Sequence, residues 1–208
     1  MSGSPRTSPT ETLERLALLD REVPAGAAGA LAGALAASIL STACRDGLDD
    51  RMTARTEEEL RSISARALSL KRDLLMLLEQ GVSADHKVAA LHARPAFPAH
   101  SDSGRLRALL FASEVPLRTA QSCHVLLTLS ERALGRIGMK SIPEIATASA
   151  LAFAGVTAGV VMARTWLAGI PVGSGTGAAA TRRRAERILN EAEIIHFLIT
   201  DRVRQHLP

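Results

Sequence analysis

The sequence predicts an all-α, single-domain helical bundle of five to seven helices, built around two central helices rich in Ala and Gly. Of its 208 residues, 47% are hydrophobic but only 2% are aromatic, so the apolar mass is mainly Ala, Leu, Val and Ile. Ala and Leu are the strongest helix formers, and no stretch alternates as a half-buried strand would. A chain of this length holds one sizeable core.

Two uncharged stretches, residues 23–44 and 145–163, predict the central helices. Each carries two glycines four residues apart, which lie on one helix face and let another backbone approach closely. These pairs are Gly29 with Gly33 and Gly155 with Gly159. The pattern predicts that both faces belong to a central core or to the interface of a homodimer.

The N-terminal part predicts a tail followed by a short helix. Residues 1–10 are rich in Ser, Pro and Thr and predict a disordered tail, so the folded domain spans residues 11–208. Leu13, Leu16 and Leu19 give the next segment one apolar side. The first central helix then ends near Gly47, a residue typical of helix ends.

The middle of the chain predicts a long amphipathic helix over residues 56–80, with a capped start at Thr56. Gly81 is expected to interrupt it, and residues 83–86 to begin a turn or a second short helix. Residues 94–103 contain two prolines and predict the one clear internal loop.

The second half predicts three more helices. One runs over residues 104–136 through Pro116, which kinks a helix or marks a break. The second central helix begins at Pro143 and Glu144, because proline suits the first position and a carboxylate complements the positive dipole end. It is expected to end near Gly169, followed by a loop over 172–177 and a last helix over 178–206.

Composition argues against several classes of partner. The net charge is +4, but the arginines are scattered and aromatic residues are too few for base stacking, so nucleic acid is not expected. Neither the two cysteines nor the six histidines show metal-binding spacing, so we expect no metal and no cofactor. Cys44 and Cys123 predict buried thiols in a reducing compartment, and no signal peptide is evident, so we expect a cytoplasmic protein.

A membrane span is the alternative reading of the two uncharged stretches, because each is long enough to cross a bilayer. Most of their residues are Ala, Gly, Ser and Thr, which gain little from lipid. We therefore favour buried helices of a bundle and expect no membrane partner.

Three segments together carry a resemblance to a known family. They are the Pro-Ala-Gly turn at 24–26 with the Ala-Leu-rich helix after it, the Val-Pro-Leu step at 115–117, and the Ala-Gly-rich helix over 152–164. Their order resembles the cyclodeaminase/cyclohydrolase family, which includes the folate-processing domain of formiminotransferase-cyclodeaminase and the methenyltetrahydrofolate cyclohydrolases. The resemblance covers residues 11–200 and implies an all-helical homodimer.

This chain departs from the family where a folate would bind. The family's triple-glycine turn is Ala25-Gly26-Ala27 here, so two added methyl groups stand where only glycine lets backbone approach a ligand. Met162 and Trp166 replace two asparagines around a late arginine. Glu144 stands where the family carries an aspartate.

The resemblance assigns site residues that have plainer alternative readings. It implies that Glu144 activates water or accepts the substrate proton, although a carboxylate there is also an ordinary helix-start charge. Asp85 and His86 are further acid–base candidates, although a solvated turn is the more ordinary explanation of both. The residues implied in substrate binding, any of which surface or core packing also explains, are Pro24, Gly26, Glu114, Met162, Arg164 and Trp166.

The implied function is that of a divergent cyclohydrolase/cyclodeaminase-like enzyme. It would act on a carbon–nitrogen bond, by ring opening, cyclisation or deamination, of a folate-related or other N-heterocyclic or cyclic imine substrate. The altered walls suggest a specialised biosynthetic step. The alternative is a non-catalytic family member that binds a ligand or a partner.

Overall fold

The computed structural model describes residues 25–48, 52–92, 102–171 and 176–206. Within them the chain forms five α-helices, one short 3-10 helix and no strand, which confirms the predicted all-α class. The elements are α1 (Ala25–Asp46), α2 (Ala54–His92), α3 (Asp102–Leu134), the 3-10 helix (Met139–Ser141), α4 (Ile142–Ala168) and α5 (Thr176–His206). The expected N-terminal tail and short helix lie outside the described residues, as do residues 93–101 of the expected loop.

Helices α1 and α4, which contain the two uncharged stretches, lie side by side and antiparallel at the centre of the bundle. Gly29, near the start of α1, lies against Gly155 and Ala158 in the second half of α4. Gly47, just after α1, lies against Ile137, shortly before α4 begins. Helix α3 packs against both, while α2 flanks α1 and α5 flanks α4.

The glycines of the two central helices form the core of this packing, as expected from their spacing. The Sγ atom of Cys123 on α3 fits between α1 and α4. A methyl group added at Gly33 would lie 2.5 Å from it, and one added at Gly155 would lie 2.6 Å from it. At Gly159 the added methyl would meet the carbonyl oxygen of Pro116 at 2.5 Å. Only glycine permits these approaches.

Helix α2 differs from the prediction at both of its expected limits. It continues through Gly81, where an interruption was expected, because Gly81 is buried against Ala27 and the apolar spacing resumes at Ala84. This packing offsets the cost of an interior glycine, about 1 kcal/mol relative to alanine. The helix also starts at Ala54 rather than Thr56, since the hydroxyl of Thr53 accepts the Thr56 backbone N–H at 3.3 Å.

The remaining helix limits lie close to those expected. Helix α3 passes through Pro116 without a break but begins at Asp102, two residues early. Helix α4 begins at Ile142 with Pro143 in its first turn and ends at Ala168, as predicted. Helix α5 begins at Thr176, so Gly177 is helical and not part of a loop.

Arg182 fastens the end of α4 to the start of α5. Its guanidinium donates hydrogen bonds to the carbonyl oxygens of Leu167 at 2.7 Å and Ile170 at 2.9 Å. The last carbonyls of a helix have no partner within the helix, and a cation there also complements the dipole. Arg182, the first residue of the basic run at 182–184, therefore stabilises the junction of α4 and α5.

Two stretches of the described chain, Ala27–Asp46 and Met139–Ala168, are long and apolar enough to cross a membrane by length and composition. In the bundle, 61% of the first is buried against other helices, which is typical of a core helix. Only 44% of the second is buried, so the described helices leave much of α4 uncovered.

Candidate functional site

A narrow pocket lies at the end of the bundle where α1 begins and the second half of α4 passes. Four helices contribute to it, and its lining side chains are apolar apart from one hydroxyl. They are Ala27, Gly81, Val115, Pro116, Thr119, Met162 and Trp166. The Thr119 hydroxyl donates to the carbonyl oxygen of Val115 at 3.3 Å, which uses its proton within α3. The pocket therefore offers a ligand mainly apolar surface.

Met162 and Trp166 narrow this pocket, as the sequence predicted they would if they faced it. They lie one helical turn apart on the same side of α4, and Trp166 is only 8% exposed. The enclosed space is about 10 Å³, close to what one water molecule needs. The pocket as it stands is therefore too small for an organic ligand, and a larger ligand requires its lining side chains to move.

The predicted glycine turn is described only in part. Pro24 lies outside the described residues, and Gly26 lies in the first turn of α1 next to the pocket residue Ala27. The described end of this turn is therefore adjacent in sequence to the pocket residue Ala27.

Glu144 and Arg164 stand at opposite ends of α4. At 1.5 Å per residue they are about 30 Å apart, so one chain does not bring them to one site. Both are exposed, and neither forms an ion pair with any described residue. Glu144 is about 27 Å along the helix from Met162, so its predicted role requires an arrangement that a single chain does not supply.

Glu114 lies beside the pocket in sequence but contacts a different helix. It accepts a hydrogen bond from the Arg184 guanidinium at 3.0 Å, and Arg184 also donates to Gln121 at 2.5 Å. Its neighbours Val115 and Pro116 line the pocket, whereas Glu114, a further 100° round the helix, faces α5. The arrangement ties α3 to α5.

Asp85 and His86 lie on α2 just beyond the pocket. Asp85 is four residues after Gly81, and helix geometry places these two backbone positions on one side of α2. His86 is exposed and has an interaction of its own. Both positions therefore belong to the pocket end of the bundle, unlike Glu144.

The sequence singled out no role for His196, which the structure places in a distinctive position. Its ring stacks on Phe153 of α4, with centroids 4.5 Å apart and planes 3° from parallel. Its Nδ1 atom is buried without a hydrogen-bond partner, and burial lowers the pKa of His196 because the charged ring loses hydration. Phe153 and His196 are far apart in the chain, so no local sequence pattern indicated that their rings would stack.

The two cysteines are buried, as predicted. Burial raises the pKa of Cys44 to about 11 and that of Cys123 to about 12, because a thiolate is poorly solvated there. Among the residues that the structure describes, no three His, Cys, Asp or Glu side chains are grouped to hold a metal ion. The described thiols therefore contribute packing rather than nucleophilic chemistry.

Comparison with known proteins identifies the same family and fold. The family model described as formiminotransferase-cyclodeaminase matches residues 9–171. The crystal structure of formiminotetrahydrofolate cyclodeaminase from Thermotoga maritima superimposes with a TM-score of 0.76 at 19% identity, covering 97% of this chain and 96% of that chain. No protein of curated function matches the chain.

Proposed function

Because this chain belongs to the formiminotransferase-cyclodeaminase family, we propose that it acts on a carbon–nitrogen bond of a small N-heterocyclic or cyclic imine substrate. The reaction is a ring opening, a cyclisation or a deamination, of the kind a specialised biosynthetic step requires. One observation carries the choice of substrate class. The pocket between α1 and α4 is narrow and apolar, with Met162 and Trp166 as its walls.

A small cationic ring suits these walls better than a folate. A pterin ring has several polar edge atoms, and burying each without a hydrogen bond costs about 1–3 kcal/mol. An amidine or imine cation carries fewer such atoms and is attracted to the face of an indole. Trp166 and the thioether of Met162 therefore favour a compact, flat, positively charged ligand.

The chemistry needs a group that moves a proton at the reacting carbon. Water adds to a carbon held between two nitrogens when a base removes its proton, and a carboxylate also stabilises the cation. We assign this part to Glu144, which stands in the first turn of α4. Since Glu144 is distant from Met162 in its own chain, the assignment requires a second copy.

Trp166 supplies the test of this proposal. It is the only Trp in a chain without Tyr, so the intrinsic fluorescence above the phenylalanine range reports this pocket alone. We expect a small cyclic amidine to shift Trp166 emission in a saturable way, and the same titration with Met162→Trp/Trp166→Phe to report the pocket from position 162, one helical turn away. A panel of cyclic amidines and imines that leaves the emission unchanged contradicts the proposal.

A second candidate is a non-catalytic member that binds a small ligand or a partner. It is favoured by the lining of the pocket, since no described acidic, basic or histidine side chain belongs to it. Fluorescence titration followed by product analysis separates the two. A ligand that shifts Trp166 emission and is recovered unchanged after long incubation supports the binding protein.

A further inference from the structure

A second cleft lies at the opposite end of the bundle from the pocket of Met162 and Trp166. It has a volume of about 190 Å³ and is formed where the first part of α2, the end of α3 and the end of α5 meet. Pro116 of the pocket and Arg132 of the cleft are about 24 Å apart along α3. We call this space the basic cleft; its walls include Glu59, Ile63, Glu131, Arg132, Arg136 and Arg202.

Arginine outnumbers carboxylate around this cleft. Glu59 accepts a hydrogen bond from Nε of Arg136 at 2.6 Å. That bond, with the nearby positive charges of Arg132 and Arg55, lowers the pKa of the Glu59 carboxyl below its ordinary value. One arginine therefore already neutralises Glu59, and the charges of the other two remain in excess.

Two arginines of the cleft lack a full partner. Arg202 reaches from α5 towards Glu131, but its Nη1 lies 4.0 Å from the carboxylate oxygen, which is too far for a hydrogen bond. Arg132 forms no ion pair with any residue that the structure describes. Arg136 uses only Nε for Glu59, so its terminal nitrogens also remain available. Three guanidinium groups from two helices can thus donate into one space.

Arginines near a helix end often stabilise that end, and Arg182 shows this role in the same protein. Its guanidinium donates to two carbonyl oxygens after the end of α4 and in its last turn, at 2.9 and 2.7 Å. Neither Arg132 nor Arg136 donates to a described carbonyl of α3, although both lie near its end. Their charges offset the negative end of the α3 dipole, which amounts to about half a charge. The excess of arginine in the basic cleft is larger than that.

We propose that the basic cleft binds the phosphate group of a small soluble molecule, with Arg132 and Arg202 as donors from its two sides and Arg136 as a third. A phosphate group carries about 1.5 to 2 negative charges at neutral pH, which balances the unneutralised guanidinium groups. Each guanidinium presents a planar fork of N–H groups that binds two phosphate oxygens at once. Donors that approach from α3 and from α5 suit a tetrahedral anion better than a planar carboxylate.

The size and lining of the cleft agree with such a ligand. Its volume of about 190 Å³ holds several water molecules, so a phosphate group enters without any movement of the helices. Ile63 lines the inner side of the cleft and is only 2% exposed, so the polar contacts come from the rim. Gly135 contributes no side chain at the end of α3, which leaves that edge open.

A bound phosphate would join α5 to α3. Its contacts to Arg132 and Arg202 bridge two helices, and the unfolded chain does not bring these residues together. The ligand therefore stabilises the folded state by mass action, which gives a readout that does not depend on catalysis. The inference goes beyond the proposed function, because the basic cleft holds none of the residues assigned to the carbon–nitrogen chemistry.

Calorimetric titration of the full chain tests the proposal. The probes are inorganic phosphate and glycerol phosphate, each at an ionic strength matched with sodium chloride, because exposed charges attract any anion weakly. We expect saturable binding of one ligand per chain and a melting temperature that rises with ligand concentration. Tighter binding of glycerol phosphate identifies a phosphate monoester as the ligand, and tighter binding of inorganic phosphate identifies the free anion; either result supports the site.

Arg132→Gln should weaken binding by about tenfold or more, because hydrogen bonds between charged groups are lost. Arg132→Lys should lose less, since it keeps the charge without the planar fork. Arg72→Gln is the matched control; it removes the same charge from an exposed position of α2, about 20 Å along that helix from Glu59. Glu131→Gln should strengthen binding severalfold, because it removes the carboxylate that competes for Arg202. A misfolded variant would not produce such a gain.

A wild type that binds neither phosphate in a saturable way overturns the proposal. So does an Arg132→Gln variant whose affinity falls no further than that of Arg72→Gln, which would indicate general attraction to a chain of net charge +4. Binding to vesicles of phosphatidylcholine with phosphatidic acid, without binding of the soluble phosphates, also overturns it and identifies a membrane-contacting surface. Each of these results leaves the proposed function standing, because Trp166 emission reports the pocket at the other end of the bundle.

Discussion

The Sγ atom of Cys123 occupies the space that the missing side chain of Gly33 leaves between α1 and α3. A methyl group at Gly33 would lie 2.5 Å from this sulfur, and its next neighbours are the two terminal methyls of Leu74 at 3.1 and 3.2 Å. All three neighbours are side-chain atoms, whereas Gly155 also faces the carbonyl oxygen of Gly29 at 2.9 Å. The two glycines should therefore respond differently to the same substitution.

Gly33→Ala should destabilise the fold by about 1–3 kcal/mol through overpacking, and Cys123→Ala should recover part of that loss in the double variant. Cys123→Ala should rescue Gly155→Ala less, because the Gly29 carbonyl stays in the way. Urea unfolding of the single and double variants measures this. Gly104→Ala is the control, since nothing lies within 4 Å of an added methyl there. Equal rescue at both glycines would contradict the packing described.

Removing the Arg182 guanidinium should loosen the junction of α4 and α5. Arg182→Met loses two hydrogen bonds to carbonyl oxygens, each worth about 1.5–3 kcal/mol where one group is charged and less here because the side chain is half-exposed. We expect a loss of about 1–2 kcal/mol in urea unfolding. Arg183→Met, at an exposed neighbouring position, should change stability little. Equal effects of the two variants would refute the capping role.

Stability should fall as the solution becomes mildly acidic, because of His196. Its pKa is lowered from 6.5 by burial, so the unfolded chain takes up this proton first and the folded state loses stability as the pH drops below about 6.5. Glu193, Asp201 and Arg204 surround the ring at the surface, and the direction holds with them present. His196→Leu should flatten unfolding free energies measured between about pH 7.5 and 5.5. His206→Gln should leave the slope unchanged, and a wild-type profile without slope would count against the assignment.

If the chain is an enzyme, Glu144→Gln should lower turnover by about 10²–10⁴-fold while changing ligand affinity far less. Glu144→Asp should keep part of the activity, because it restores the residue that the family carries there. Product analysis and Trp166 fluorescence measure the two quantities separately. A Glu144→Gln protein as fast as wild type would leave Glu144 as a helix-start charge only.

Tetrahydrofolates should bind weakly or not at all. The pocket holds little more than a water molecule, and its lining offers few hydrogen-bonding groups. Met162→Asn/Trp166→Asn should widen it and restore amide groups, improving folate binding, with Met162→Leu as a volume-matched control. Calorimetric titration with methenyltetrahydrofolate decides this, and micromolar affinity of the wild type would contradict the expected specificity.

The sequence predicted the fold well because its strongest signals are local. Glycines four residues apart in uncharged stretches, and Pro143 at a helix start, each dictate a backbone feature without reference to the rest of the chain. The interruption expected at Gly81 was wrong because burial against Ala27 is a tertiary effect that no local pattern contains.

The site was less accessible to sequence reasoning, since it depends on which side of a helix faces which neighbour. Met162 and Trp166 line a small pocket, and their effect on a ligand stays a prediction. Glu114 faces Arg184 instead, because α5 comes from a distant part of the chain and its register against α3 is set by packing. The separation of Glu144 from Met162 follows from their spacing along one helix.

The reactivity of the two buried thiols can be used to measure local opening of the bundle. Cys123 is wedged between the two central helices and reacts with a disulfide reagent only when they part, whereas Cys44 lies near the opposite end of α1. The rates at which the two thiols react with the reagent in native conditions therefore report two local opening motions, one at the centre of the bundle and one near the end of α1. A ligand that binds beside Trp166 should slow the reaction of Cys123 more than that of Cys44, so the native thiols can report binding without an engineered probe.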